Sequence, residues 1–150
     1  MPQPKKNRTW PFDAGRVRLA LLNRGDDLLT AVEAFCREDA LDTVLFSVTG
    51  SIVDITVGVY DGSQQVYVTE RIEKPLELVT CTGNVVRDGA AHRAQAHAAA
   101  ADLDGRLYAG RLFSPTRVVA AEVVLQQLKG DRLQRTYDHL RGLWRWASTR

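Results

Sequence analysis

Sulfur is scarce in this chain: two cysteines and one methionine in 150 residues. Cys36 and Cys81 sit among apolar neighbours, with no Cys-x-x-Cys and no histidine-rich stretch nearby. Nothing in their spacing favours a disulfide framework or a cysteine-ligated metal, and two buried, reduced thiols in an intracellular protein are the simplest account. Long apolar runs are also missing. The longest is cut by Asp54 and by glycines well short of the ~20 residues a membrane-spanning helix needs, so no membrane partner is expected. The first ten residues are rich in proline and lysine, and no apolar run of signal-peptide length follows, which predicts a cytoplasmic protein. Aromatic residues make up only 7%, and there are five prolines and eleven glycines, so collagen-like and low-complexity chains are excluded. What remains is 45% apolar and 25% charged, an ordinary globular composition. A chain of this length makes about one domain and buries roughly two-thirds of its extended surface without a staple.

The formal net charge is +2, but it is unevenly spread. Residues 1–24 carry six Lys/Arg against one acid, and residues 129–150 carry six against two. The middle, 25–128, has eight basic and fifteen acidic residues. Basic ends, with Lys5, Lys6 and Arg8 at the front, are either an electrostatic footprint for phosphate backbones or solvated tails. Trp10, Trp144 and Trp146 flank them. These either stack on bases or pin terminal arms to the body or to a neighbouring subunit.

Residues 1–15 read as a basic leader. Arg16 to Leu22 alternates, with Val17, Leu19 and Leu21 forming the apolar face of a half-buried strand. Arg24-Gly25-Asp26-Asp27 is a turn ending in a cap, followed by a helix over 27–39 with Leu28, Val32, Phe35 and Cys36 inward and Glu33, Arg37 and Glu38 outward. Strands follow over Thr43–Thr49, Ile52–Tyr60, Gln65–Glu70, Leu76–Arg87, His92–Asp102, Arg106–Phe113 and Arg117–Leu128. Asp-Gly pairs at 61–62, 88–89 and 104–105 mark antiparallel turns. The expected class is α+β, a mainly antiparallel sheet with one principal helix, over 16–128. The alanines between 94 and 101 favour helix intrinsically, so a strand there requires tertiary context to override propensity. Residues 129–150 form a basic C-terminal arm, helical by the Leu133, Tyr137, Leu140, Trp144 spacing or else extended.

Catalytic signatures are thin. Ser47, Ser51 and Ser63 lack a nucleophile elbow, and no glycine-rich loop cradles phosphate. Asp26-Asp27 reads as helix capping, and Asp102 and Asp104 read as turn formers.

Four segments in order carry a family resemblance. They are the strand and helix start from Arg18 to Leu28, the Val48–Thr56 segment broken at Gly50-Ser51, the Pro75–Asn84 segment, and Asp104-Gly105 through Gly110-Arg111-Leu112. Together they resemble the plant and prokaryote conserved (PPC) domain. The resemblance implies a homotrimer and makes 92–102 a strand. Plant relatives add an AT-hook, but here Pro4-Lys5-Lys6-Asn7-Arg8 has the charge without the hook's Gly and Pro. Many prokaryotic relatives resemble one another in a His-x-His pair and a third histidine suited to zinc. Those positions fall on Gln95, His97 and Arg111. A carboxamide and a guanidinium are poor zinc partners, so no metal and no cofactor is expected. Gln95, His97 and Arg111 are instead either a polar pocket for an anion or carboxylate, or structural residues with Arg111 paired to an acid such as Glu77. The expected function is non-enzymatic assembly and partner binding, the partner being DNA or another protein. The alternative is a small-molecule protein, or an enzyme with a degenerate metal site, built on that pocket.

Overall fold

The computed structural model describes residues 7–148. Its elements run β1 (Phe12–Leu22), α1 (Leu28–Glu38), β2 (Thr43–Asp61), β3 (Val66–Asp88), β4 (Ala91–Ala101), β5 (Leu107–Phe113), β6 (Val118–Gly130), β7 (Leu133–Asp138) and β8 (Leu143–Ser148). Six strands form one antiparallel sheet in the order β1-β6-β2-β3-β4-β5. A further pairing of Thr56–Gly58 with Arg111–Phe113 curls β2 to β5 into a closed, barrel-like end. The closure depends on glycine: a Cβ on Gly110 would stand 2.6 Å from the Gly58 carbonyl oxygen. The class is α+β with a single helix, as the turns and alternation indicate.

The helix starts where Asp27 caps it. The Asp27 carboxylate accepts from the Thr30 amide at 3.2 Å, and also from Ser114 Oγ and the Thr116 amide, which ties the cap to the loop before β6. Leu28, Val32 and Cys36 are fully buried, one turn apart each. They pack against Val44, Phe46 and Val48 of β2 and the alanines of β4 in one continuous core. Ala96, Ala98 and Ala100 are buried there, so the alanine run is pleated. Its small side chains let the helix lie close to the sheet, and ladder pairing on both sides outweighs alanine's helical preference. Glu33 departs from the outward position expected of it: its carboxylate accepts the Ala94 amide at 2.9 Å.

Three other expectations need correction. The strands expected at 43–49 and 52–60 are one strand, β2, which passes through Gly50-Ser51 with shifts of register in its pairings. The strands expected at 65–70 and 76–87 are one strand, β3, running through Pro75 with a register shift in its pairing to β2 between Ile52 and Asp54. The apolar face of β1 also points the other way. Val17, Leu19 and Leu21 are 58%, 79% and 71% exposed, while Ala20 and Leu22 face the core. Alternation fixes which residues share a face, and only the position of the single helix decides which face is covered.

The C-terminal segment is neither a helix nor a single extended arm. β7 and β8 form a hairpin around the Asp138–Gly142 turn, and Leu133 and Arg135 turn inward against β3.

Candidate functional site

The sheet has two faces. The inner one holds α1 and the core. On the outer face one rung crosses all six strands: Leu19, Val124, Ser47, Thr82, His97 and Arg111 are successive Cα partners. The next rung reads Val17, Gln126, Leu45, Asn84 and Gln95. The face therefore grades from apolar at the β1 edge to polar and basic at the β5 edge.

Gln95, His97 and Arg111 are brought together on this face, as period-2 geometry requires of residues two apart and directly opposite. Gln95 and His97 line an open cleft of about 560 Å³ with Ser47, Thr82, Asn84 and Gln126. Gln95 also lines a second cavity, of about 290 Å³, shared with Arg111, Arg135 and Trp144. Arg111 lies with its guanidinium 4.8 Å from the Tyr67 ring centre and 5.1 Å from that of Phe113. Arg135 reaches in from β7 and is 9% exposed, and its Nη2 donates to Asn84 Oδ1. Its pKa is pushed down to about 10, first by burial and then by the charge of Arg111. Among the described residues neither arginine makes an ion pair, and the buried Nε of each has no hydrogen-bond partner.

Glu77 lies toward the far end of the β3–β4 ladder, opposite Ala101, and accepts from Ser51 Oγ. Sequence reasoning did not find Arg135. Its signal was the β-prone runs Leu133–Tyr137 and Leu143–Ala147 on either side of a turn, which competed with a helical spacing of leucines. Among the described residues, no three His, Cys, Asp or Glu side chains come together as metal ligands. Both thiols are pushed up to about 12, Cys36 by burial and then by Asp39 and Glu33, Cys81 by burial alone.

The basic ends converge. Arg8 and Trp10 border a cavity of about 600 Å³ with Arg141, Arg145 and Trp146 of the hairpin. Asp138 lies among them, 2.7 Å from Arg141 and 3.1 Å from Arg145. Lys5 and Lys6 lie outside the described residues.

A six-stranded antiparallel sheet with one capped helix, a barrel-like end and an open outer face defines a small α+β domain. The chain belongs to the Plants and Prokaryotes Conserved (PCC) domain family, whose model matches residues 11–129. It is similar to the structure of a metal-containing protein from Archaeoglobus fulgidus, with 30% identity, a TM-score of 0.89 and coverage of 95% of this chain and 100% of that one. It is also similar to a plant- and prokaryote-conserved protein from Pyrococcus horikoshii, with 26% identity, a TM-score of 0.87 and coverage of 96% and 99%. A protein from Bacteroides thetaiotaomicron with a provisional DNA-binding name shares the fold at 21% identity and a TM-score of 0.82, covering 93% and 99%. No curated protein matches the chain.

Proposed function

We propose that this chain is a non-enzymatic assembly and binding domain that associates with its own copies, as a trimer, through the apolar end of the outer face. The observation that carries this reading is the exposed stripe of Leu19, Leu21 and Val17, continued by Val124 and Leu45. Contiguous exposed apolar side chains on one sheet face mark an interaction surface. The stripe also lies largely on β1, an edge strand, which a free monomer would leave open to pairing. The homotrimer implied by the family resemblance is the occupant that fits. Light scattering on the purified chain should give three times the monomer mass. Leu19→Asp with Leu21→Asp should give a folded monomer, because both side chains already face water and substitution leaves the core intact. A monomeric parent protein at micromolar concentration would overturn the reading.

The Archaeoglobus relative is named for its metal. The donor set here suits a cation poorly. One imidazole, one carboxamide and one guanidinium occupy the three positions that the resemblance points to, and Arg135 adds a second positive charge beside them. No metal chemistry is assigned to the site.

A second reading rests on the convergence of Arg8, Arg141 and Arg145 with Trp10 and Trp146 around one cavity. Guanidinium groups interleaved with indoles are the chemistry of nucleic-acid backbones and bases. In this reading DNA is the partner of the assembled domain, bound without an AT-hook.

A further inference from the structure

We propose that Arg111 and Arg135 form a site for a small oxyanion, the carboxylate or phosphate group of a small molecule, in the cavity between the β4–β5 edge and the C-terminal hairpin. The site goes beyond the assembly reading and does not depend on it.

The argument begins with charge. Two guanidiniums line one cavity of about 290 Å³, and Arg135 is almost wholly buried. Burying a cation is unfavourable unless an acceptor compensates it, and two neighbouring cations repel. Among the described residues no carboxylate pairs with either arginine. The nearby carboxylate is Asp88, which lines the same cavity but stands 3.9 Å from Arg93 Nε. Asn84 supplies one neutral acceptor to Arg135, and the Tyr67 and Phe113 rings supply π-faces to Arg111. The Nε of each arginine is left buried and unpartnered. An oxyanion supplies what is absent: two or more acceptor lone pairs and a negative charge, matched to the planar guanidinium fork. The depressed pKa of Arg135 agrees with this, since an uncompensated neighbour is part of its cause. Gln95 adds a carboxamide donor at the rim, and the Trp144 indole walls the cavity toward solvent. The volume admits a small molecule rather than a bare ion alone. The site also explains why the hairpin carries an inward arginine at a position where an apolar residue would pack more cheaply.

The test uses the full chain, titrated separately with inorganic phosphate and with succinate, with chloride adjusted to hold ionic strength constant. A saturable rise in melting temperature is expected with one or both. Phosphate alone would assign a phosphoryl ligand and succinate alone a carboxylate. Arg111→Gln and Arg135→Gln should each weaken apparent affinity about tenfold or more, the loss expected of a charge-assisted pair. Arg37→Gln, at an exposed position in the last turn of α1, should leave it unchanged. The arginine Nε–H resonances of the unmutated chain provide a readout that no folding defect can confuse: those of Arg111 and Arg135 should move with added anion. Failure of both anions to shift the melting temperature, a shift retained in both variants, or motionless Nε resonances would each overturn the proposal.

Discussion

His97 and Arg111 are Cα partners across the β4–β5 ladder, yet they serve different cavities. His97 opens onto the cleft above β2 and β3. Arg111 turns toward β7, folded over by Tyr67 and Phe113. Three imidazoles at these positions would converge on one point. An arginine at one of them lengthens the side chain and points its charge past the histidine toward the hairpin. That divergence is the geometric basis of the anion site proposed at Arg111 and Arg135.

The approach of β3 to β4 beneath this site depends on one glycine. A Cβ on Gly83 would stand 2.2 Å from the Gln95 carbonyl oxygen and 2.8 Å from Phe46 Cζ. The first contact is with backbone, so relief requires the strands to separate. Gly83→Ala should therefore destabilise the fold by roughly 1–3 kcal/mol, the usual range for overpacking. Gln95 and Asn84 should shift with the strands. Urea denaturation measures the first effect, and amide chemical shifts of Gln95 and its neighbours report the second. A variant as stable as the parent with unmoved shifts would refute the dependence.

Acid should weaken the fold through the Asp102 turn. The Asp102 side chain is 3% exposed, and its pKa is lowered from 3.8 to about 2, above all by the Lys74 ammonium 2.8 Å away and further by the Arg106 and Asp104 amides. A carboxylate depressed in the folded state contributes stability above its ordinary pKa and loses it as pH falls through the folded one. The window is thus pH ~4 to ~2. Asp102→Asn should melt below the parent protein at neutral pH, and the difference should close toward pH ~2. A gap that stays constant across this range would show that the carboxylate's charge does not contribute.

Much of this architecture is legible in the residues, and the exceptions have physical causes. Three Asp-Gly pairs mark three hairpin bends; glycine takes the positive φ at Gly89 and Gly105, whereas in the first bend the positive φ falls on Gln65. The capping at Asp27 and the turn chemistry at Asp102 are local, so they survive in sequence. The burial of β1 does not survive, because it depends on the side of the sheet that α1 occupies. The strands expected at 65–70 and 76–87 leave a gap that ends at Pro75, but β3 passes through it. The site is half legible. Gln95, His97 and Arg111 fall together by strand period and family spacing. Arg135 comes from a hairpin whose leucines also satisfy a helical period, and no short-range pattern announces that its side chain folds inward.

Binding to duplex DNA, if the basic ends make it, should fall steeply with salt, because each neutralised phosphate contributes about −0.9 to the slope of log K against log salt. Arg8, Arg141 and Arg145 border one cavity, so three contacts contribute about −2.7 to the slope for each subunit that engages the duplex. Asp138 works against them. Hydrogen bonds from Arg141 and then Arg145 hold its pKa down to about 2, so it is charged at neutral pH and competes with phosphate for both guanidiniums. Two opposite effects follow. Replacing all three arginines by glutamine should flatten the salt dependence. Asp138→Asn should tighten binding, because it releases both guanidiniums while Oδ1 of the carboxamide still accepts the Leu140 amide. Fluorescence anisotropy between ~50 and ~200 mM salt, the range over which phosphate contacts lose most of their affinity, measures all three proteins in one format. A flat profile in the parent chain, or a triple variant indistinguishable from it, would remove DNA from the list of partners.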